Sequence, residues 1–422
     1  MQIGATRRPT EVRDISKQHL RRHQTFRPIM RRTDGESQTQ RRFAGMTAHV
    51  VYFALALGLL LNSAAPMVAV GQTAPAQRST RVVRNISDAQ GGGRYVLSDI
   101  SALKVSSSSE LFILDRSEAH VIVLDTLGRY KRTIGRRGSG PGELSGQALA
   151  MQLQDSLLLI SDLSARRLVV FGLDGRHVRT VSAMQASNTG SSSGPVTALP
   201  MRGGQIEVTT PGSVNFQADL FSRVLFRQAG RSDTIAVIPA GLFTFTVQQR
   251  NSSHPSFAAT GFGDGGAWAV RSDTLLAHAD GFSGRVRWIT LSENGPRVAQ
   301  TAMLPGPAAP LPRADFDSVR VRLEASYKKR DPSTRLVLTD APTQRSLATH
   351  ALFDAAGNLW IGGAPAGRTV RWTVFSPRAQ LLYTVSLPAS FRLNDVRNGR
   401  LYGKTVDEDG VPVIRILELI GP

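Results

Sequence analysis

The side chains best suited to chemistry in this sequence are basic. Arg116, His120, Arg136, Arg137, Arg166, Arg167 and Arg368 fall in polar stretches between short apolar runs. Guanidinium groups brought together there would hold an anion through charge-assisted hydrogen bonds. The competing reading leaves the same side chains solvated and paired with Asp115, Glu118, Glu143 and Asp162, because exposed charges need no further role. Asp115 and Asp162 read as turn caps rather than catalytic acids, since an Asp carboxylate bonds readily to amides two residues on. Gly135, Gly138, Gly140 and Gly142 surround the Arg136-Arg137 pair. A phosphate cradle would need a helix immediately afterwards, with its N-terminal amides aimed at the anion. No helical period follows, so these glycines are expected to permit positive φ and close backbone approach where the chain crosses between elements.

Other chemistries find less support. The chain has no cysteine, which excludes disulfides, thiolate metal centres, a cysteine nucleophile and a lipidated cysteine. His120, His177, His254, His278 and His350 are dispersed, with no i,i+4 pair to hold a metal. Asn188, Asn215, Asn251, Asn294, Asn358, Asn394 and Asn398 do not recur at one repeat position beside acidic partners, as a calcium site built from repeats would require. No catalytic residue, metal ligand or cofactor is assigned on this basis, and a divalent cation such as calcium is the one cofactor left open.

The elements that would position the basic residues come from an internal repeat. Leu111-Phe-Ile-Leu-Asp115, then His120-Val-Ile-Val-Leu-Asp125 and Gly128, match Leu157-Leu-Leu-Ile-Ser-Asp162, then Arg167-Leu-Val-Val-Phe171 and Gly175. Asp115 to Asp162 and Gly128 to Gly175 are both offsets of 47. A period of this size, built from apolar runs too short for buried helices, indicates a four-stranded blade repeated around an axis. Blades are expected at about 95–134, 146–182, 195–239, 256–303, 348–387 and 390–419. The last two share Gly357-Asn-Leu-Trp360 and Gly399-Arg-Leu-Tyr402, and Trp268 is aligned to the same slot in the fourth.

Residues 311–332 interrupt this spacing. Phe316, Val319, Leu323 and Tyr327 mark one face of a helix inserted between blades 4 and 5, expected to pack on a blade. The sixth blade has room for only three strands, so the β-prone segment around residues 81–86 is expected to supply the fourth and close the ring.

Residues 128–144, ending in Gly140-Pro141-Gly142-Glu143, resemble the blade junction of NHL-repeat proteins, and residues 161–175 resemble the second half of such a repeat. The resemblance implies a bacterial six-bladed β-propeller group in which inter-blade loops gather on one face around a central channel. It implies little about activity, because this scaffold serves binding, hydrolysis and lyase chemistry alike.

Charge and hydropathy divide the chain further. Residues 1–71 carry 11 Lys/Arg against 4 Asp/Glu, so +7 of the formal +19 lies there. Residues 1–45 show no apolar periodicity and read as a basic disordered or untranslated leader. Residues 46–71 combine a basic flank, a twelve-residue apolar run at 50–61 and small residues before Gln72, the pattern of a signal peptide. A stable membrane span would need ~20 apolar residues. Residues 72–422 would then form an exported, periplasmic or extracellular, monomeric all-β propeller. Its expected role is binding an anionic ligand or protein partner on a basic channel face. A metal-dependent, lactonase-like propeller hydrolase or a lyase is the alternative. Nucleic acid ranks behind both, because aromatics interleaved with arginine are missing from the loops.

Overall fold

The computed structural model describes residues 75–421 except 147, 163–164, 166, 183–194, 210–220, 229, 240–241, 260–264 and 339–342. The leader at 1–45 and the apolar segment at 46–71 lie outside the described residues, as does Arg166.

Downstream, short β-prone runs broken by Gly and Asx turns pair in sequence order. Blade 1 is built from Ile100–Val105, Leu111–Asp115, His120–Leu124 and Tyr130–Ile134, all antiparallel. Its second strand is buried at every position, which is why it reads as an unbroken apolar run rather than an alternating one. Blades 2, 3 and 4 repeat the pattern over 148–182, 195–239 and 266–303, and blade 5 over 350–388. Blade 6 takes three strands from Arg392–Arg397, Arg400–Val406 and Pro412–Ile420. Its fourth is Ala76–Ile86, running antiparallel to the last of these with Ser79 opposite Ile420 and Ile86 opposite Ile414. The start of that strand also pairs in parallel with blade 5, Ala76 opposite Tyr383, and so joins two blades into one eight-stranded sheet.

The molecule is therefore a six-bladed β-propeller closed by its N-terminal strand. The core lies between blades. One apolar cluster joins Phe112 and Val121 of blade 1 to Leu158 and Ile160 of blade 2, another joins Leu103 and Ile113 of blade 1 to Tyr402 and Ile416 of blade 6. Similar clusters fill the gaps between blades 3 and 4, 4 and 5, and 5 and 6.

Two expectations need correction. Blade 4 begins at Gly266, not near 256. Leu242–Gln249 and Ser252–Ala259 instead form a separate hairpin, joined by Arg335–Leu338 into a three-stranded sheet outside the blades. The aromatic used to set the phase misled: Trp268 sits on the innermost strand of its blade, whereas Trp360 and Tyr402 sit on second strands, fully or nearly fully buried. Helix α1 (Arg313–Lys328) packs on that extra sheet rather than on a blade, with Phe316, Val319, Leu323 and Tyr327 against Phe245, Val247 and Leu336. The hairpin offers it an apolar surface of its own, so the two insertions on either side of blade 4 satisfy each other.

Candidate functional site

Strand direction fixes which loops share a face. In each blade the innermost strand starts at the face where the previous blade ends, and the second strand returns to it. The turn between second and third strands therefore shares that face with the inter-blade connections. Arg116, His120, Arg136, Arg137, Arg167 and Arg368 all lie in such segments, and both insertions rise from the same face.

Their local roles differ. Asp115 ends the second strand of blade 1 and is wholly buried; it accepts from the amides of Ser98 (2.7 Å), Asp99 (3.2 Å) and Glu118 (3.2 Å) and from Ser117 Oγ (2.7 Å). Burial pushes its carboxyl up, but these hydrogen bonds together hold it below the usual carboxylate value. In blade 2 the corresponding Asp162 accepts from the amide (3.0 Å) and hydroxyl of Ser145. Both aspartates thus reach back 17 residues to hold the incoming inter-blade segment, and Asp115 also caps its turn through Ser117 and Glu118. The cap expected at Asp115 is present, but the longer-range partner was missed, because spacing alone does not show which amide arrives there.

Arg167 belongs to the same framework. Its side chain, 12% exposed, pairs with Asp162 (3.2 Å) and donates to the carbonyls of Ser139 (2.7 Å) and Glu143 (2.7 Å). It pins the glycine-rich crossing from beneath and is committed to structure. Within that crossing Gly135 and Gly142 adopt φ of +75° and +73°, whereas Gly140 is needed for another reason. Its amide donates to Glu143 Oε2 at 2.8 Å, and a Cβ there would come within 3.1 Å of that oxygen. Arg136 lies on the surface beside Glu143 (2.9 Å), and Arg137 donates to the Ser117 carbonyl. His120 is pushed below its ordinary pKa by burial, against the pull of Asp115 and Glu118. Arg368 stands exposed in the equivalent turn of blade 5.

Where blade 6 meets blade 1 the same face holds two cations that the sequence reading did not name. Lys404 donates to the Ile100 carbonyl, and its pKa is lowered by burial and then by the nearby charges of Arg392 and Arg116. Arg392 opens the innermost strand of blade 6 opposite Lys404 and is exposed. Arg116 pairs with Asp99 at 2.6 Å. Asp99 and Asp115 oppose these charges; Asp115 also accepts from three amides, and Asp395 accepts from those of Val105 and Val396 (both 2.8 Å). Only the circular closure of the chain brings residues 116 and 404 together, so no sequence signal could have found this cluster.

Inside the ring, the innermost strands of blades 1 to 5 line a cavity of about 300 Å³. Among the described residues no group of three or more His, Asp or Glu side chains is arranged to hold a metal ion. No helix among them is long and apolar enough to cross a membrane.

A family model described as a 6-bladed beta-propeller matches residues 93–188. Solved structures with a similar fold include a putative exported protein from Bacteroides fragilis, 10% identical, covering 82% of this chain and 99% of its own, with a TM-score of 0.43. A calcium-binding protein, regucalcin, from Agrobacterium tumefaciens is 10% identical over 82% of this chain and 97% of its own, with a TM-score of 0.39. Virginiamycin B lyase from Staphylococcus aureus is 8% identical over 77% and 96%, with a TM-score of 0.35. No curated protein matches the chain.

Proposed function

We propose that this propeller is an exported binding protein whose channel mouth receives an anionic ligand or an acidic segment of a partner protein. The observation that carries the reading is the grouping of Arg116, Arg392 and Lys404 at the blade 6 to blade 1 junction, where Arg116 pairs with Asp99 and Arg392 stands exposed. Cations gathered at a partly desolvated rim attract negative ligands more than scattered surface charges do. Export rests on the apolar segment at 46–71, with its basic flank and small residues before Gln72.

The test is binding of the full chain to a panel of acidic glycans and sugar phosphates over a range of salt. Affinity should fall as salt rises, and Arg392→Glu, an exposed substitution with no side-chain hydrogen bond or ion pair to lose among the described residues, should weaken binding about tenfold or more. Salt-independent binding, or binding unchanged in Arg392→Glu, would remove the rim from the mechanism.

A further inference from the structure

The cavity on the propeller axis has a composition unlike the rim above it. Its wall is mainly apolar, formed by Met151, Leu199, Trp268, Val270, Leu352 and Phe353 from the innermost strands of four blades. Among the described residues no Asp or Glu lines it, and the one charged side chain is Lys104. Lys104 Nζ donates to the Asn394 carbonyl at 3.2 Å and has no carboxylate partner among the described residues. An ammonium has three protons to donate, so hydrogen-bonding capacity remains. Ser161, 4% exposed, also lines the cavity, and its Oγ has no hydrogen-bond partner.

The lone cation is costly if the cavity serves nothing, because an ammonium beside an apolar wall with no counter-charge is poorly solvated. The lone cation and the apolar wall are accounted for by one kind of guest: an apolar, preferably aromatic body lying among Trp268, Met151 and Phe353, carrying a single carboxylate for Lys104. The volume sits at the lower end of the ~300–1,000 Å³ typical of small-molecule sites, which limits the guest to a small molecule.

We infer that the axial cavity is a binding site for a small aromatic or aliphatic monocarboxylate, held by Lys104 within an apolar wall. This inference rests on the reading of the channel as a ligand site, but it does not depend on the cations of the rim.

The probe is 3-phenylpropanoate with its amide as control, titrated into the full chain and followed by intrinsic tryptophan fluorescence and by calorimetry. The acid should bind saturably and more tightly than the amide. Lys104→Met should weaken the acid roughly ten- to hundredfold, the loss expected for a charge-assisted hydrogen bond, and leave the amide unchanged. Absence of saturable binding by the unaltered chain, equal affinity for acid and amide, or an acid affinity indifferent to Lys104→Met would each overturn the inference. If Lys104→Met fails to fold, the acid and amide comparison on the unaltered chain decides alone. Acidic glycans that bind in an Arg392-dependent way while 3-phenylpropanoate does not would refute the axial site and leave the rim standing; the reverse result would do the opposite.

Discussion

Buried carboxylates in this molecule are spent on joining blades, and acid pH should expose that dependence. Glu110 receives two hydrogen bonds from Arg132 (3.1 and 2.8 Å), whose guanidinium also donates to the Leu173 carbonyl of blade 2 at 3.1 Å. That bidentate contact first, and Lys131 after it, lower the Glu110 pKa from 4.5 to about 2. A lowered pKa means the contribution is complete above the unfolded value and fades as pH falls through the folded one. Glu110→Gln should therefore cost about 1 kcal/mol at pH 7, after allowance for solvent screening. The gap from the parent protein should narrow below about pH 4.5 and close near pH 2, as read by denaturant titration at a series of pH values. Asp115, with its pKa also held down, follows the same sign. Asp115→Asn loses a charged acceptor for three amides and should be the more damaging change, by about 2–3 kcal/mol.

At the scale of elements, the glycine-rich crossing and the paired insertions behave as separate units. Arg167→Ala removes the donor that gathers the Ser139 and Glu143 carbonyls, leaving those groups to water. It should cost about 2 kcal/mol and create a protease-sensitive site at residues 138–143, detectable by limited digestion. Unchanged stability and unchanged cleavage would instead return Arg167 to the pool of candidate ligand residues. Helix α1 is held to its three-stranded sheet by a small apolar cluster centred on Phe316 and Phe245. Phe316→Ala should cost about 3 kcal/mol locally. Hydrogen exchange should then rise in residues 242–259 and 313–338 while the blades keep their protection. Loss of protection throughout would mean that the insertion and the ring unfold as one.

The whole molecule depends on its N-terminal strand. The 11 residues Ala76–Ile86 complete blade 6, bind its edge to blade 5 and bury Ile86 in the cluster shared with blade 1. A chain lacking residues 75–86 would leave Pro412–Ile420 as a bare edge, ready to pair with another molecule. Several kcal/mol of sheet and core contact would go with it, lowering the melting temperature by about 10 °C and producing concentration-dependent association in sedimentation. A truncated protein that stays monomeric with its melting point intact would show that the ring closes without this strand.

What the sequence determined by itself was the repeating unit. The paired landmarks Asp115 with Asp162 and Gly128 with Gly175, and the shortfall of one strand near the end of the chain, were sufficient for six blades and their closure, because strand length, turn residues and period are local properties. Tertiary structure alone decided the rest. The hairpin at 242–259 has the same alternating pattern as a blade strand, and only its partner at Arg335–Leu338, some ninety positions later, removes it from the ring. Arg167 and Arg392 look equally free in sequence; one is consumed by carbonyls arriving from an earlier loop, while the other remains exposed. The mouth and the axial cavity take one residue or a few from each of several blades. Circular closure juxtaposes side chains hundreds of positions apart, and no local pattern encodes which of them will meet.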